Sequence, residues 1–317
     1  MTLRFNYLPY RRKFKNPLAT AHGSWEFREG IVVRLEDQDG QIGFGEIAPV
    51  PWFGSETFDE AHGWCREQGA ELTHTKCPVN LPCCDFALTS ALHQLRGVGV
   101  QKTFAVAALL RPLDRIQDYQ SRGYGSFKAK VGVNGFTAEV ERLEGWLAEL
   151  HPGQRLRLDA NGGFSETDFS EWLEYLEGKS IEFLEQPLAP GLENRMLEMA
   201  EPFSTPIALD ESIAGKPSLS KWTSWPGPLV VKPSLLGSLN GDPLPRSMVG
   251  SSVFETSFGY EAALQFMARH QNSDTALGFG TLGYFEQDGW SIHEEGAELQ
   301  AGRVTVDQLQ ALWEERS

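Results

Sequence analysis

Three acidic residues each close a short apolar run: Asp159 follows RLRL, Glu185 follows IEFL and Asp210 follows PIAL. They stand about 25 residues apart, the length of one strand, one helix and two loops. That repeat admits few architectures. Parallel strands joined by helices end on one side of their sheet, so three such carboxylates meet at one rim. Any one of them alone reads equally well as a cap for the next helix. Three at this spacing read as a cluster, and clustered carboxylates repel unless a cation lies among them. Oxygen-only donors suit Mg²⁺, which keeps positions open for water or substrate.

Lysines bracket the acids. Lys128 and Lys130 (SFKAKV) are two residues apart on one expected strand and therefore share a face. Two lysines pressed against packing helices are implausible, so that face is the barrel interior. Lys232 ends a further strand, LVVK, across the barrel from the first pair.

The rest of the chain fits the same frame. Strands are expected at Thr103–Leu109, Ser126–Val131, Arg155–Leu158, Ile181–Leu184, Pro206–Leu209, Leu229–Val231, Ser251–Glu255 and Thr275–Gly278. Helices are expected at Phe136–Leu150, Glu166–Leu176 and Leu192–Ala200, with a short or missing one in Leu239–Met248, which holds Gly, Asp and two prolines. Eight strands in this order predict an α/β fold, a modified (β/α)8 TIM-type barrel over residues 100–290. Residues 1–99 read as an α+β capping domain. Its GIVVRLE and QIGFGEI runs flank Asp39-Gly40, a strong hairpin signal, and two helices come after them at Thr57–Glu71 and Val79–Arg96. An amphipathic tail helix, Val304–Glu315 within residues 291–317, is expected to pack back on that domain.

Composition removes other classes. A formal net charge of −15 argues against nucleic acid as partner. No run of 18 apolar residues exists, so no membrane insertion is expected. The four cysteines, with no C-x-x-C pair, read as free thiols of a cytoplasmic protein.

The ordered series K-A-K, L-D-A-N, L-E-Q-P, L-D-E-S and V-K-P-S resembles the muconate-lactonizing subgroup of the enolase superfamily. The resemblance spans nearly the whole chain and implies an enolase-like capping domain over the barrel. It also implies Mg²⁺ (or Mn²⁺) at Asp159, Glu185 and Asp210, with acid/base roles for Lys130 and Lys232. Removing a proton α to a carboxylate builds a dianionic enediolate, which a divalent cation stabilises. A base lysine needs a lowered pKa, and neighbouring Lys128 pushes Lys130 in that direction. Lys128 thus reads as a tuning and positioning group.

Further motifs narrow the choice. GEIAP with FGSET, VKPSLLGSL and SSVFETSFG resemble the o-succinylbenzoate synthase family, as does the compact length. The resemblance implies a small-molecule carboxylate substrate dehydrated by Lys130, with Lys232 staying charged and meeting the ring through a cation–π contact. Candidate substrate contacts are Ser252, Thr256 and Ser257 after the seventh strand, and Gly280 in GFGTLG after the eighth. Trp25, Trp52 and Phe53 read as packing residues. The alternative on the same scaffold is an N-succinylamino acid racemase or dipeptide epimerase; a non-catalytic binding barrel has little support. Oligomeric state, monomer or homo-oligomer, stays open.

Overall fold

The computed structural model describes residues 2–20, 22–72, 75–214, 219–238 and 243–317. The chain opens with the antiparallel strands β1 (Leu3–Thr20), β2 (Gly23–Glu36) and β3 (Ile42–Ile47). β2 and β3 form the hairpin expected at Asp39-Gly40: Gly40 adopts φ 77°, and the Asp37 carboxylate accepts from the backbone N–H of Asp39 and Gln41. After α1 (Phe58–Gln68), the short β4 (Glu71–Leu72) pairs with β1 and completes a sheet of order β3-β2-β1-β4.

α2 (Pro82–Leu95) lies directly on β3. The alternation GFGEI makes this approach possible: a Cβ on Gly43 or Gly45 would run into the carbonyl oxygens of Ala91 and Ala87. Glu56, buried in the FGSET run, closes the start of α2 by accepting from the N–H groups of Cys83 and Cys84 at 3.1 and 2.9 Å. All four cysteines are free.

The expected first barrel strand, Thr103–Leu109, divides at Val106. β5 (Lys102–Ala105) pairs with a late strand, whereas β6 (Ala107–Leu110) enters the barrel. Then come α3 (Ile116–Gln120), β7 (Ser126–Lys130), α4 (Phe136–Glu149), β8 (Arg155–Asp159), α5 (Glu166–Leu176), β9 (Ile181–Glu185), α6 (Glu193–Ala200), β10 (Ile207–Ala208) and β11 (Leu229–Val231). Strands β6 to β10 form one parallel sheet, and Leu209 bridges to Leu229.

The seventh strand is β12 (Met248–Gly250), three residues ahead of the expected Ser251–Glu255. Its register is set by pairing with β11, and only Ser251 of the expected strand takes part, through a bridge to Gly278. Leu277 bridges back to Val106, donating to Ala105 O and accepting from Ala107 N, which closes the cylinder. The interior floor below the rim is apolar, with Phe183, Ala208, Val230 and Val249 buried together. In the expected helix-poor stretch, residues 239–242 lie outside the described residues, and 243–247 are not helical.

α7 (Ser257–His270) has no counterpart among the expected helices. Residues 257–267 are buried on every side, so the run carries no polar stripe from which a helical period could be read. β13 (Glu298–Ala301) pairs with β5, and α8 (Val306–Arg316) starts with a capping box at Thr305. α8 packs Leu309 and Leu312 against Val32 and Phe44 of the first sheet, and Arg34 Nε donates to Gln310 at 2.9 Å.

Candidate active site

Parallel register brings the charged residues together. Lys130 is the register partner of Asp159, and Asp159 of Glu185. On β7, Phe127 and Ala129 are buried toward the helices, which turns Lys128 and Lys130 to the opposite face. Lys128 Nζ lies 2.8 Å from Asp159 Oδ2 and 2.8 Å from Glu185 Oε1, tying two carboxylates through one ammonium. Across the mouth, Lys232 forms a buried ion pair with Asp210. Lys130 is exposed at the rim and, among the described residues, has no carboxylate partner.

The electrostatics derive from burial and crowding. Burial would depress the Lys128 ammonium, but the Asp159, Glu185 and Asp210 charges outweigh it and hold it above its usual range. Burial, reinforced by Asp159, lifts the Glu185 carboxyl to about 8. Burial and the adjacent Asp210 lift Glu211 to about 7. Such carboxylates demand nearby positive charge. The donors are all oxygen and end three adjacent strands, which is the chemistry of a hard divalent cation. As the side chains lie, no three acidic, His or Cys groups among the described residues stand close enough to chelate; ammonium groups meet the carboxylates instead.

Two residues around the acids escaped the sequence reading. Gln186, fully buried and held at φ 39°, accepts from the backbone N–H of Asp210 (3.0 Å) and Ser212 (3.1 Å), and donates to Leu188 O and Ser212 Oγ. It fixes the strand end that carries Asp210; its signal was a second polar residue directly after Glu185 in LEQP. Glu211 receives a bond from Asn161 Nδ2 at 3.3 Å. Asn161 has φ 46°, and its N–H also holds Asp159 Oδ1 at 3.0 Å, so it serves both as left-handed turn and as support.

Aromatics from the first sheet, from the turn after β3 and from the segment after β12 stand beside Lys232. Phe53 lies 4.7 Å below the Lys232 ammonium, so the cation–π partner of this lysine comes from the protein itself. Trp25 meets Trp52, Phe14 and Phe254 edge-on at 4.9, 5.1 and 5.5 Å.

The hydroxyls expected to meet substrate are turned elsewhere. Thr256 caps α7 by accepting from Phe258 N, and its own Oγ1 and N–H donate to Glu46. Ser257 Oγ accepts from Ile292 N at 2.7 Å and lies 3.0 Å from His293 Nδ1. Both residues are fully buried, Thr256 committed to the start of α7 and Ser257 to the Ile292–His293 segment, which corrects the expectation for this pair. Ser252 Oγ donates to Glu255 at 2.6 Å and lies 2.8 Å from Thr281 Oγ1. Gly280 borders a cavity of about 130 Å³ shared with Leu109, Arg111 and Tyr284.

Glu46 is the buried hub of this seam rather than a surface charge. It accepts from Tyr10 OH (2.5 Å) and from the N–H groups of Thr256 and Gly259 (3.0 Å to Oε2 in each case), clamping the first sheet to the N-terminus of α7. Burial raises its carboxyl above the usual range, opposed by the Thr256 and Tyr10 hydrogen bonds.

A capped barrel with three carboxylates and two strand-borne lysines at its C-terminal rim is an enzyme of the enolase superfamily. A model of enolase C-terminal-like domains matches residues 112–224, and one of the MenC N-terminal domain matches residues 10–95. The chain is 35% identical to the o-succinylbenzoate synthase of Thermosynechococcus vestitus, over 88% of this chain and 92% of that one. It is 27% identical to the same-named enzyme of Proteus mirabilis, over 91% and 92%. The crystal structure of the Thermosynechococcus elongatus synthase, with Mg in its active site, superposes with a TM-score of 0.83 at 32% identity, covering 98% of this chain and 99% of that chain. The Bacillus subtilis L-Ala-D/L-Glu epimerase, at 19% identity and TM-score 0.75 over 94% and 95%, shares the fold. The chain belongs to the o-succinylbenzoate synthase family and is a lyase.

Proposed function

We propose that this enzyme converts 2-succinyl-6-hydroxy-2,4-cyclohexadiene-1-carboxylate to 2-succinylbenzoate by syn dehydration, on the route to menaquinone or phylloquinone. The observation that carries the chemistry is the division of labour among the lysines. Lys128 is held between two carboxylates, while Lys130, two residues further along the same strand face, is unpaired at the open rim. An ammonium locked in two ion pairs cannot give up its proton readily, which leaves the base role to its unpaired neighbour.

In this reading the neutral Lys130 amine takes the proton from the ring carbon bearing the carboxylate. The resulting ammonium then protonates the departing hydroxyl, which leaves as water from the same face while the ring becomes aromatic. Lys128 holds the ring carboxylate and stays charged. Lys232, backed by Phe53, faces the opposite side of the ring and balances the charge that develops there. Asp159, Glu185 and Asp210 are the oxygen donors for Mg²⁺, and Gln186 and Asn161 keep two of them oriented. When bound, the cation acts as a Lewis acid toward the substrate carboxylate.

The deciding experiment is an assay of the purified chain with Mg²⁺ and the cyclohexadiene substrate, tracking formation of the aromatic product. Mg²⁺-dependent turnover is expected. No product, together with deuterium exchange into both enantiomers of an N-succinylamino acid in D₂O, would replace the dehydratase reading by a racemase.

A further inference from the structure

A second cavity, of about 290 Å³, opens between α2 and α7 and shares no lining residue with the charged rim. Phe86 and Phe266, packed ring to ring at 6.3 Å, make its apolar side, and Gly237 and Ser238 also line it. The polar lining is one guanidinium, Arg269, with the His93 and His270 imidazoles and Thr89 beside it. Arg269 makes one long hydrogen bond, 3.5 Å to Val98 O, and among the described residues has no carboxylate partner. Burial lowers its guanidinium, and burial with Arg269 close by lowers both imidazoles, Arg96 adding to the effect on His93. Asp85 of α2, which borders the Gly237–Ser238 pair, is engaged at 2.7 and 2.6 Å by the N–H and hydroxyl of Ser238. A half-buried guanidinium without a matching anion is unfavourable unless something negative joins it.

We propose that this cavity is a second ligand site, taking a small carboxylate with an aromatic or similarly apolar body. The two phenylalanines supply an apolar surface for the body, and Arg269 with the two imidazoles supplies donors for the carboxylate. Inorganic phosphate fills the charge requirement but leaves the apolar side uncovered, and it is the weaker ligand. The cavity also touches function by position. Its Gly237–Ser238 lining comes just after the Pro233–Leu235 turn that begins at Lys232, and Leu235 is buried in the core of the first sheet and α2. Occupancy therefore stiffens the seam behind Lys232.

The test titrates the full chain with benzoate, and separately with inorganic phosphate, by calorimetry and by NMR of the histidine side chains. Benzoate is expected to bind more tightly than phosphate and to move the His93 and His270 resonances. Arg269→Gln is expected to weaken benzoate at least about tenfold, the usual consequence of losing a charged donor. Thr89→Trp, which fills the cavity without removing a charge, is expected to abolish binding there, while Asp159→Asn at the barrel rim leaves it intact. Unchanged benzoate affinity in Arg269→Gln and Thr89→Trp, or loss of the histidine response in Asp159→Asn, would overturn the proposal. Phosphate binding as tightly as benzoate would remove the apolar side from it.

Discussion

The two sides of the barrel rim use their polar side chains in opposite ways. From β7 to β11 the strand ends carry Lys128, Lys130, Asp159, Glu185, Asp210 and Lys232, which answer one another across the open mouth. After β12 the rim carries Ser252, Glu255, Thr256 and Ser257, whose hydrogen bonds run back into the protein. The segment after each strand makes the difference. α7 begins at once after Thr256, so its free N–H groups draw in Thr256 Oγ1 and Glu46 from the first sheet. A polar residue at a strand end is available for chemistry only where no helix start claims it.

The sharpest way to break this contrast lies on the catalytic side. Lys130→Ala should lower turnover by at least about 10²–10⁴-fold, the usual range for a general base, with unfolding by urea unchanged because the side chain is exposed. A folded, Mg²⁺-loaded variant retaining most activity would sink the assignment. Asp159→Asn should weaken Mg²⁺ in calorimetry by more than the about 10–100-fold typical of losing a supporting group. Unaltered Mg²⁺ affinity would move the cation elsewhere.

On the structural side the effect should appear in stability. Glu46→Ala leaves Tyr10 OH and the N–H groups of Thr256 and Gly259 without an acceptor, and should cost about 3–4 kcal/mol in denaturant unfolding. A loss below about 1 kcal/mol would show that the seam is not held by this carboxylate. Ser257→Ala is the mildest case. It should cost about 1–2 kcal/mol through Ile292 N and leave KM unchanged; a several-fold rise in KM would return Ser257 to the substrate.

Legibility in the sequence divides along the same line. The acids and lysines could be read because each closes an apolar strand at a regular interval, and α5 spans Glu166–Leu176 as its amphipathic pattern predicts. The Asp39-Gly40 turn was legible because its geometry is local. α7 was hidden because a helix buried all round has no polar stripe. The seventh strand was misplaced by three residues because SSVFE has strand-like composition, whereas pairing with β11 selects Met248–Gly250. Val106 looked like mid-strand, yet its backbone serves two sheets, donating to Ala297 O and bridging Leu277. Non-local partners decide such positions.

The Tyr10–Glu46–Thr256 clamp also bears on the order in which the molecule can be made. Glu46 leaves the ribosome 210 residues before Thr256, roughly 10–40 s earlier at typical elongation rates. During that interval an acid destined for a dry interior has no helix to cap, so the nascent first sheet must stay ajar or keep the carboxyl wet. Final locking of the cap thus waits for the last fifth of the chain to be reached.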